Sequence, residues 1–379
     1  MTHVGCETVT ATPRRGAGPE PRSDIQLSDV DAFRAEVQHR LDAFLSERTD
    51  RLSELGPPLL PLLAAAADAV AGGKRLRASF VYWGWRAAGG AADDGRVVQA
   101  GAALELLHAS ALVHDDVMDA SDIRRGRPAS HKQFERLHRD GGWTGRPERF
   151  GIGGAIVLGD LLLSWADEML RHCGFDAAQL TAAAPYFDAM RAEVAAGQYL
   201  DLVAQSSGHN SVPRAMQVVR YKAAKYTVER PLHLGAALGG GPRSLISALS
   251  SYGVPLGEAF QLRDDVLGVF GDPTRTGKPA GDDLREGKRT VLIALAVERA
   301  DTTQHDRIDA LFGRPDLDDS GVAQLQQIIV ATGALDAVER LIAELTDAAT
   351  TSLRQAPIAA EQARGALASL AAAATRRDG

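Results

Sequence analysis

An apolar run that begins near Val97 ends at Leu112-Val113-His114, and three carboxylates, Asp115, Asp116 and Asp119, follow at once. On a helix Asp115 and Asp119 stand one turn apart on one face, with Asp116 beside them. Like charges at that spacing repel, so a bare helix gains nothing from them. A hard cation reverses the sign. Mg²⁺ takes oxygen ligands, and one or two carboxylates plus substrate phosphates complete its shell. A solvated acidic helix end is the competing reading. A second copy argues against it, because Leu262-Arg263-Asp264-Asp265-Val266-Leu267-Gly268 closes another apolar helical run. Two carboxylate pairs on two helices facing one cavity make a site for a magnesium-bound diphosphate.

The rest of the chain reads as helix. Aromatic residues make up only 5% of the 379 and alanine is abundant, a balance that favours packed helices over sheets. Residues 1–24 mix Thr, Pro, Gly and Arg without periodicity and read as a disordered tail. From Ser28, as a cap, a helix runs to about Glu54, and a short Leu/Ala helix ends at Val70. Another follows Gly72-Gly73, and Asp93 or Asp94 opens the long helix that carries the first aspartates. A polar connection comes next, with a helix from about Ala129 to Arg139, and Gly151-Ile152-Gly153-Gly154 marks loop. Apolar helices then cover about Ala155–His172 and Ala177–Ala204. Ser211 and Pro213 open a helix expected to bend at Arg230-Pro231, and Pro242 opens the one that ends in the second aspartates. Arg275–Lys288 reads as a charged loop, and 289–376 as four or five amphipathic helices. Neither strand alternation nor a repeat of fixed period is present. The expected fold is all-α, a bundle of about twelve or more helices around a central cavity, with 25–379 as one domain.

The formal charge of -7 supplies no global basic field to recruit nucleic acid or anionic lipid. Cys6 and Cys173 are too few for a disulfide framework and suit a cytosolic protein. No apolar run reads as a membrane span and the N-terminus lacks a signal core, so a soluble, cytoplasmic protein is expected.

Basic groups are nevertheless clustered. Arg124-Arg125-Gly126-Arg127 follows Asp119 closely, and guanidinium forks suit diphosphate oxygens. Gly72-Gly73-Lys74-Arg75-Leu76-Arg77 sits between two helices, where glycines let backbone approach a phosphate and a helix N-terminus adds its dipole. His108 lies two turns below Asp115 on nearly the same face, either a satisfied core histidine or a substrate contact. Lys222 and Lys225 ride a helix with Tyr221 and Tyr226, Gln261 precedes Asp264 by three, and Lys278 and Lys288 flank Asp282-Asp283.

Taken in order and spacing, these motifs resemble the trans-isoprenyl diphosphate synthases, or polyprenyl synthetases, over nearly everything from about residue 30 onward. Besides the motifs above, Leu-Leu-His at 106–108, Gly-Asp-Leu-Leu-Leu at 159–163, Gly-Gln-Tyr-Leu-Asp-Leu at 197–202 and Gly-Lys-Pro-Ala-Gly-Asp-Asp-Leu-Arg-Glu-Gly-Lys-Arg-Thr at 277–290 carry the likeness. The resemblance implies an isoprenoid synthase-type bundle that condenses an allylic diphosphate (dimethylallyl, geranyl or farnesyl) with isopentenyl diphosphate. It implies that Asp115 and Asp119 bind two Mg²⁺ ions on the allylic diphosphate, supported by Asp116. Asp264, with Asp265 beside it, would bind a third. Lys74, Arg77, His108 and Arg125 would hold isopentenyl diphosphate, and Arg124, Lys222, Gln261 and Lys278 the allylic diphosphate. A homodimer is likewise implied. Three positions depart from the family pattern: Ala78 for the common proline, Ala223 for the usual threonine, and Gly268 for the last aspartate of the second motif.

Product length is read from the helix below Asp115, where each turn of about 5.4 Å compares with one isoprene unit. In the family, bulky aromatics four and five positions before the first aspartate stop growth at fifteen carbons. Here those positions are Ala111 and Ser110, both small, with Leu107 and Leu104 or Trp165 and Met169 as candidate floors. Geranylgeranyl diphosphate is therefore the favoured product, ahead of farnesyl and longer chains. A class I terpene cyclase would not need the second basic pocket, and a non-catalytic partner subunit would not keep the first aspartate motif.

Overall fold

The computed structural model describes residues 29–208, 211–272 and 281–375. The proposed tail at 1–24, the Ser28 cap and Lys278 lie outside these. Asp29 instead caps α1 (Val30–Ser53), its carboxylate accepting from the Asp31 and Ala32 backbone N–H groups. After α2 (Leu60–Val70) and α3 (Leu76–Ala87), Asp94 caps α4 (Gly95–Met118). From Val97 to Ser110 only His108 and Gln99 escape burial on this helix, so α4 is apolar all round and lies inside the bundle. It packs against α3 on one side and against α6 (Pro147–Arg171) on another. An all-helical sequence pattern thus becomes an all-α fold in which the aspartates end the central rod.

Between α4 and α5 (Ser130–Asp140) the chain forms one element that the periodicity did not show. Ile123–Arg124 (β1) and Arg127–Pro128 (β2) pair as a two-residue antiparallel hairpin, with Arg125 and Gly126 at positive φ in its turn. A second difference concerns Gly151–Gly154, expected as loop and found inside α6. Gly151 and Gly154 serve close packing: a Cβ at Gly151 would meet the His131 carbonyl oxygen, and one at Gly154 the Phe134 ring. They let α5 lie directly on α6.

The helix α7 (Ala177–Ser207) is followed by α8 (Val212–Val218), a π-helical stretch (Val219–Glu229) and α9 (Arg230–Leu238). The expected bend at Arg230-Pro231 is replaced by this widened coil. Pro231 lies in the first turn of α9, where a missing N–H is tolerated. The helix α10 (Arg243–Phe270) carries the second aspartates and packs against the π stretch and α15 (Ala334–Gln355). Within the expected loop 275–288 a short helix, α11 (Asp282–Glu286), forms. α12 (Val291–Arg299), α13 (Thr302–Leu311), α14 (Asp319–Ala331), α15 and α16 (Glu361–Thr375) complete the fold. One apolar core surrounds α4, and a second joins the C-terminal half of α10 to α12, α14 and α15. The site lies between them.

By length and composition alone α4 and α6 are apolar enough to cross a membrane, with mean hydropathies of 1.2 and 1.4. Neither shows a span. α4 is the buried rod just described, whereas α6 keeps Ile152, Ile156 and Val157 on its outer face.

Candidate active site

A cavity of about 830 Å³ separates the two cores. Asp115 enters it from the last turn of α4, and Asp264 and Asp265 enter from α10 opposite. Lys222 reaches in from the π stretch. Its ammonium lies 3.1 Å from Asp115 Oδ1 and donates to Asp201 Oδ2 of α7 at 2.7 Å. Burial alone would raise the Asp115 carboxyl, but Lys222, with Lys288 and Arg124, outweighs it and holds the group below its ordinary range. Asp119, one turn on, is pushed up to about 6 by burial and by Asp115. Asp265 is pushed up to about 7 by burial, against the hydrogen bond from Gln261 and with the charges of Asp283 and Asp264 adding to the rise.

Asp116 does not face the cavity but is buried, accepting from Arg124 Nε at 2.8 Å and from the same guanidinium's Nη2. Arg124 thereby stays near Asp115, at 3.6 Å. The hairpin turn then swings Arg125 the other way, where its Nη1 donates to the Ala71 carbonyl at 3.1 Å. Two adjacent arginines thus serve opposite ends of the cavity because the positive φ of Arg125 and Gly126 reverses the chain between them.

At the far end Lys74, Arg77, Arg125 and His108 share the wall. Arg75 sits behind them in a left-handed conformation at the start of α3, with its side chain buried against Glu105 at 3.3 Å and the Val70 carbonyl at 2.5 Å. The second Glu105 oxygen accepts from the Ala78 N–H. The Gly-Gly-Lys-Arg loop is consequently pinned from beneath while Lys74 and Arg77 face the cavity. Burial, together with Arg77, Arg125, Arg124 and Arg75, holds the His108 imidazole well below its ordinary range, so it is neutral there.

The donors present fit magnesium. They are carboxylate oxygens, and Oδ1 of Asp119 is buried without a hydrogen bond, while Oδ1 of Asp115 meets the Lys222 ammonium. Among the described residues no three carboxylate, imidazole or thiol groups converge on one point. Such a shell needs oxygens from substrate, as a magnesium–diphosphate site does. Gly268 opens onto the same cavity with the Asp283 carboxylate packed against it, so Asp283 fills space that a side chain at 268 would take. Lys288, 3.3 Å from Asp283, is lowered by burial but more strongly raised by Asp283 and Glu286.

Of the chain-length candidates, Ala111 lines the cavity, whereas Ser110 and Leu107 are buried beside it. Asp201 and Tyr226 were assigned no role from sequence. Asp201 lay inside the Gly-Gln-Tyr-Leu-Asp-Leu motif, which was a usable signal, while nothing in the local pattern marked Tyr226.

The geometry has counterparts among known proteins. The polyprenyl synthetase family model matches residues 61–329. The chain belongs to the polyprenyl synthetase family. It is 31% identical over 306 residues to the geranylfarnesyl diphosphate synthase of Aeropyrum pernix, covering 80% of this chain and 87% of the relative. A short chain isoprenyl diphosphate synthase of Methanothermobacter thermautotrophicus is 33% identical over 287 residues, 76% of this chain and 81% of its own. Among solved structures, the geranylgeranyl pyrophosphate synthase of Corynebacterium glutamicum, complexed with isoprenyl diphosphate and magnesium, superposes with a TM-score of 0.89 at 42% identity. That match covers 92% of this chain and 100% of that one.

Proposed function

We propose that this polyprenyl synthetase is a prenyltransferase that joins an allylic diphosphate head-to-tail to isopentenyl diphosphate, with geranylgeranyl diphosphate as product. The observation that carries this reading is a single cavity with carboxylates on opposed helices at one end and a separate cationic cradle at the other. A cyclase acting on one diphosphate has no use for the second cradle.

Asp115, Asp119 and Asp264 would hold magnesium, three ions when substrate is bound, with Asp116 and Asp265 supporting. Magnesium held by these carboxylates would supply charge neutralisation for the departing diphosphate, which would ease scission of the allylic C–O bond. Lys222, Arg124 and Gln261 orient that diphosphate, and Lys278 is assigned to it by family likeness. Lys74, Arg77, His108 and Arg125 hold isopentenyl diphosphate so that its alkene meets the allylic carbon. The released diphosphate is the proton acceptor, since among the described residues no side chain at the reacting end is an evident base. Apolar groups such as Phe260, Val194 and Leu112 exclude water that would quench the cation.

Residues 25–379 are assigned to this one catalytic domain. The outer face of α6, with Ile152, Ile156 and Val157 exposed, is assigned to a homodimer contact, a use of apolar surface that also accounts for its membrane-like composition.

The purified protein, incubated with Mg²⁺, isopentenyl diphosphate and each allylic primer in turn, should yield a twenty-carbon diphosphate by chromatography. Asp115→Ala should lower turnover by about two orders of magnitude or more while the helical circular dichroism is kept. Near-wild-type turnover in that variant would overturn the metal role.

A further inference from the structure

Tyr226 stands at the centre of the isopentenyl end without touching the reacting end. Its ring is enclosed, 4% exposed, and the Arg77 guanidinium carbon lies 4.3 Å above the ring centre. Arg77 is held in that place by a second contact, donating from Nη2 to Thr227 Oγ1 at 2.9 Å. The Tyr226 hydroxyl lies 3.0 Å from His108 Nδ1. Burial pushes the phenol up to about 12, so the hydroxyl keeps its proton at any working pH.

A buried O–H needs an acceptor. Arg77 cannot be one, because a guanidinium only donates. Among the described residues the atom within hydrogen-bond reach of the hydroxyl that is able to accept is His108 Nδ1. The imidazole is neutral, for the reasons given above, and a neutral ring that accepts at Nδ1 carries its proton on Nε2. Facing the cavity, Nε2–H is a donor, and the groups expected opposite it are diphosphate oxygens, which only accept. With the other tautomer a lone pair would confront those oxygens.

We propose that Tyr226 is a positioning residue whose hydroxyl fixes His108 as the Nε2–H tautomer, so that the ring offers a donor to isopentenyl diphosphate. This rests on the prenyl-transfer reading of the cavity. The arrangement divides labour within one side chain. The ring face holds Arg77, and the hydroxyl sets the proton on His108. Tyr226→Phe therefore removes the second role, together with the contact between Arg77 and the hydroxyl, and keeps the ring beneath the guanidinium, so the spectra carry the decision on the tautomer.

Two measurements test the proposal. Steady-state kinetics of Tyr226→Phe should show KM for isopentenyl diphosphate raised about three- to ten-fold, the scale of one hydrogen bond. KM for the allylic diphosphate should stay unchanged. An unchanged KM for isopentenyl diphosphate, or an equal rise for both substrates, overturns the proposal. Long-range ¹H–¹⁵N spectra of histidine-labelled wild-type protein should show His108 Nδ1 unprotonated, with a mixture of tautomers in Tyr226→Phe. A protonated Nδ1 in the wild type overturns it without reference to any variant. Wild-type protein that transfers no prenyl group would instead refute the functional reading, and the spectra would then decide the tautomer alone.

Discussion

His233 should make this protein lose stability as the solution is acidified, and its surroundings give the amount. The side chain is 2% exposed on α9, directly after the π stretch that carries Lys222 and Tyr226. Its Nδ1 lies 3.3 Å from Arg230 Nη1, its Nε2 3.0 Å from Ser250 Oγ, and its ring 5.2 Å from that of Tyr186. A guanidinium only donates, so Nδ1 accepts and Nε2–H donates to Ser250. Arg230 cannot turn away, because Glu193 grips it at 2.7 and 2.6 Å. Protonating Nδ1 would set one N–H against another. Burial above all, then Arg230 and Lys225 against the opposing Glu229 and the Ile246 backbone, lower the pKa from 6.5 to about 4. The unfolded chain thus binds the proton more readily. Stability is complete above the unfolded value near 6.5 and is lost as pH falls toward 4. A difference of about 2.5 units corresponds to ~3.4 kcal/mol at the limit, and ~2 kcal/mol of it is gone by about pH 5. Urea unfolding of wild type and His233→Gln at about pH 7.5 and about pH 5 measures this. The variant should be the less stable chain at the higher pH, yet lose ~2 kcal/mol less on acidification. Other titrating groups are common to both chains and cancel in the comparison. Equal losses in the two chains would refute the reasoning.

Ala111→Phe should end the product at least one isoprene unit short, since position 111 opens on the cavity about 6 Å along the axis below Asp115. Chromatography of the product reads this directly, and an unchanged length would move the floor elsewhere. Ser110→Phe differs in kind: Ser110 is buried, so a ring there must displace packed neighbours at about 1–3 kcal/mol, seen as a lowered melting temperature. Gly268→Ala should displace Asp283 and its Lys288 partner, lowering turnover about ten- to hundred-fold with little change in melting temperature. Full turnover in that variant would mean that the placement of Asp283 does not matter.

The central rod and the two aspartate groups were legible because carboxylates interrupting an apolar helical run are locally anomalous. The basic clusters were legible by their density, and Lys74, Arg77, Arg124, Arg125, Lys222 and Gln261 all line one cavity. Other parts were not legible. Gly151–Gly154 read as loop because glycine punctuates turns in general, and only the approach of α5 shows that they serve packing. The π stretch leaves no mark in composition, since it is a matter of which carbonyl each N–H chooses. Tyr226 and Asp201 acquire meaning only from partners 118 and 21 residues away, His108 and Lys222. Gly268 looked like a lost charge, and the fold shows the Asp283 carboxylate already lying against it.

The interlock between α3 and α9 has a mechanical corollary. A methyl group at Gly84 would run into the Leu232 carbonyl, and one at Gly235 into the Val81 carbonyl, so the two helices touch backbone to backbone through reciprocal notches. α3 begins beside Lys74 at one end of the cavity, and α9 continues from the π stretch whose Lys222 lines the other. Neither helix can slide past its mate without a collision of main-chain atoms. The spacing between the start of α3 and the π stretch that leads into α9 is therefore gauged by main-chain contact rather than by pliable side chains.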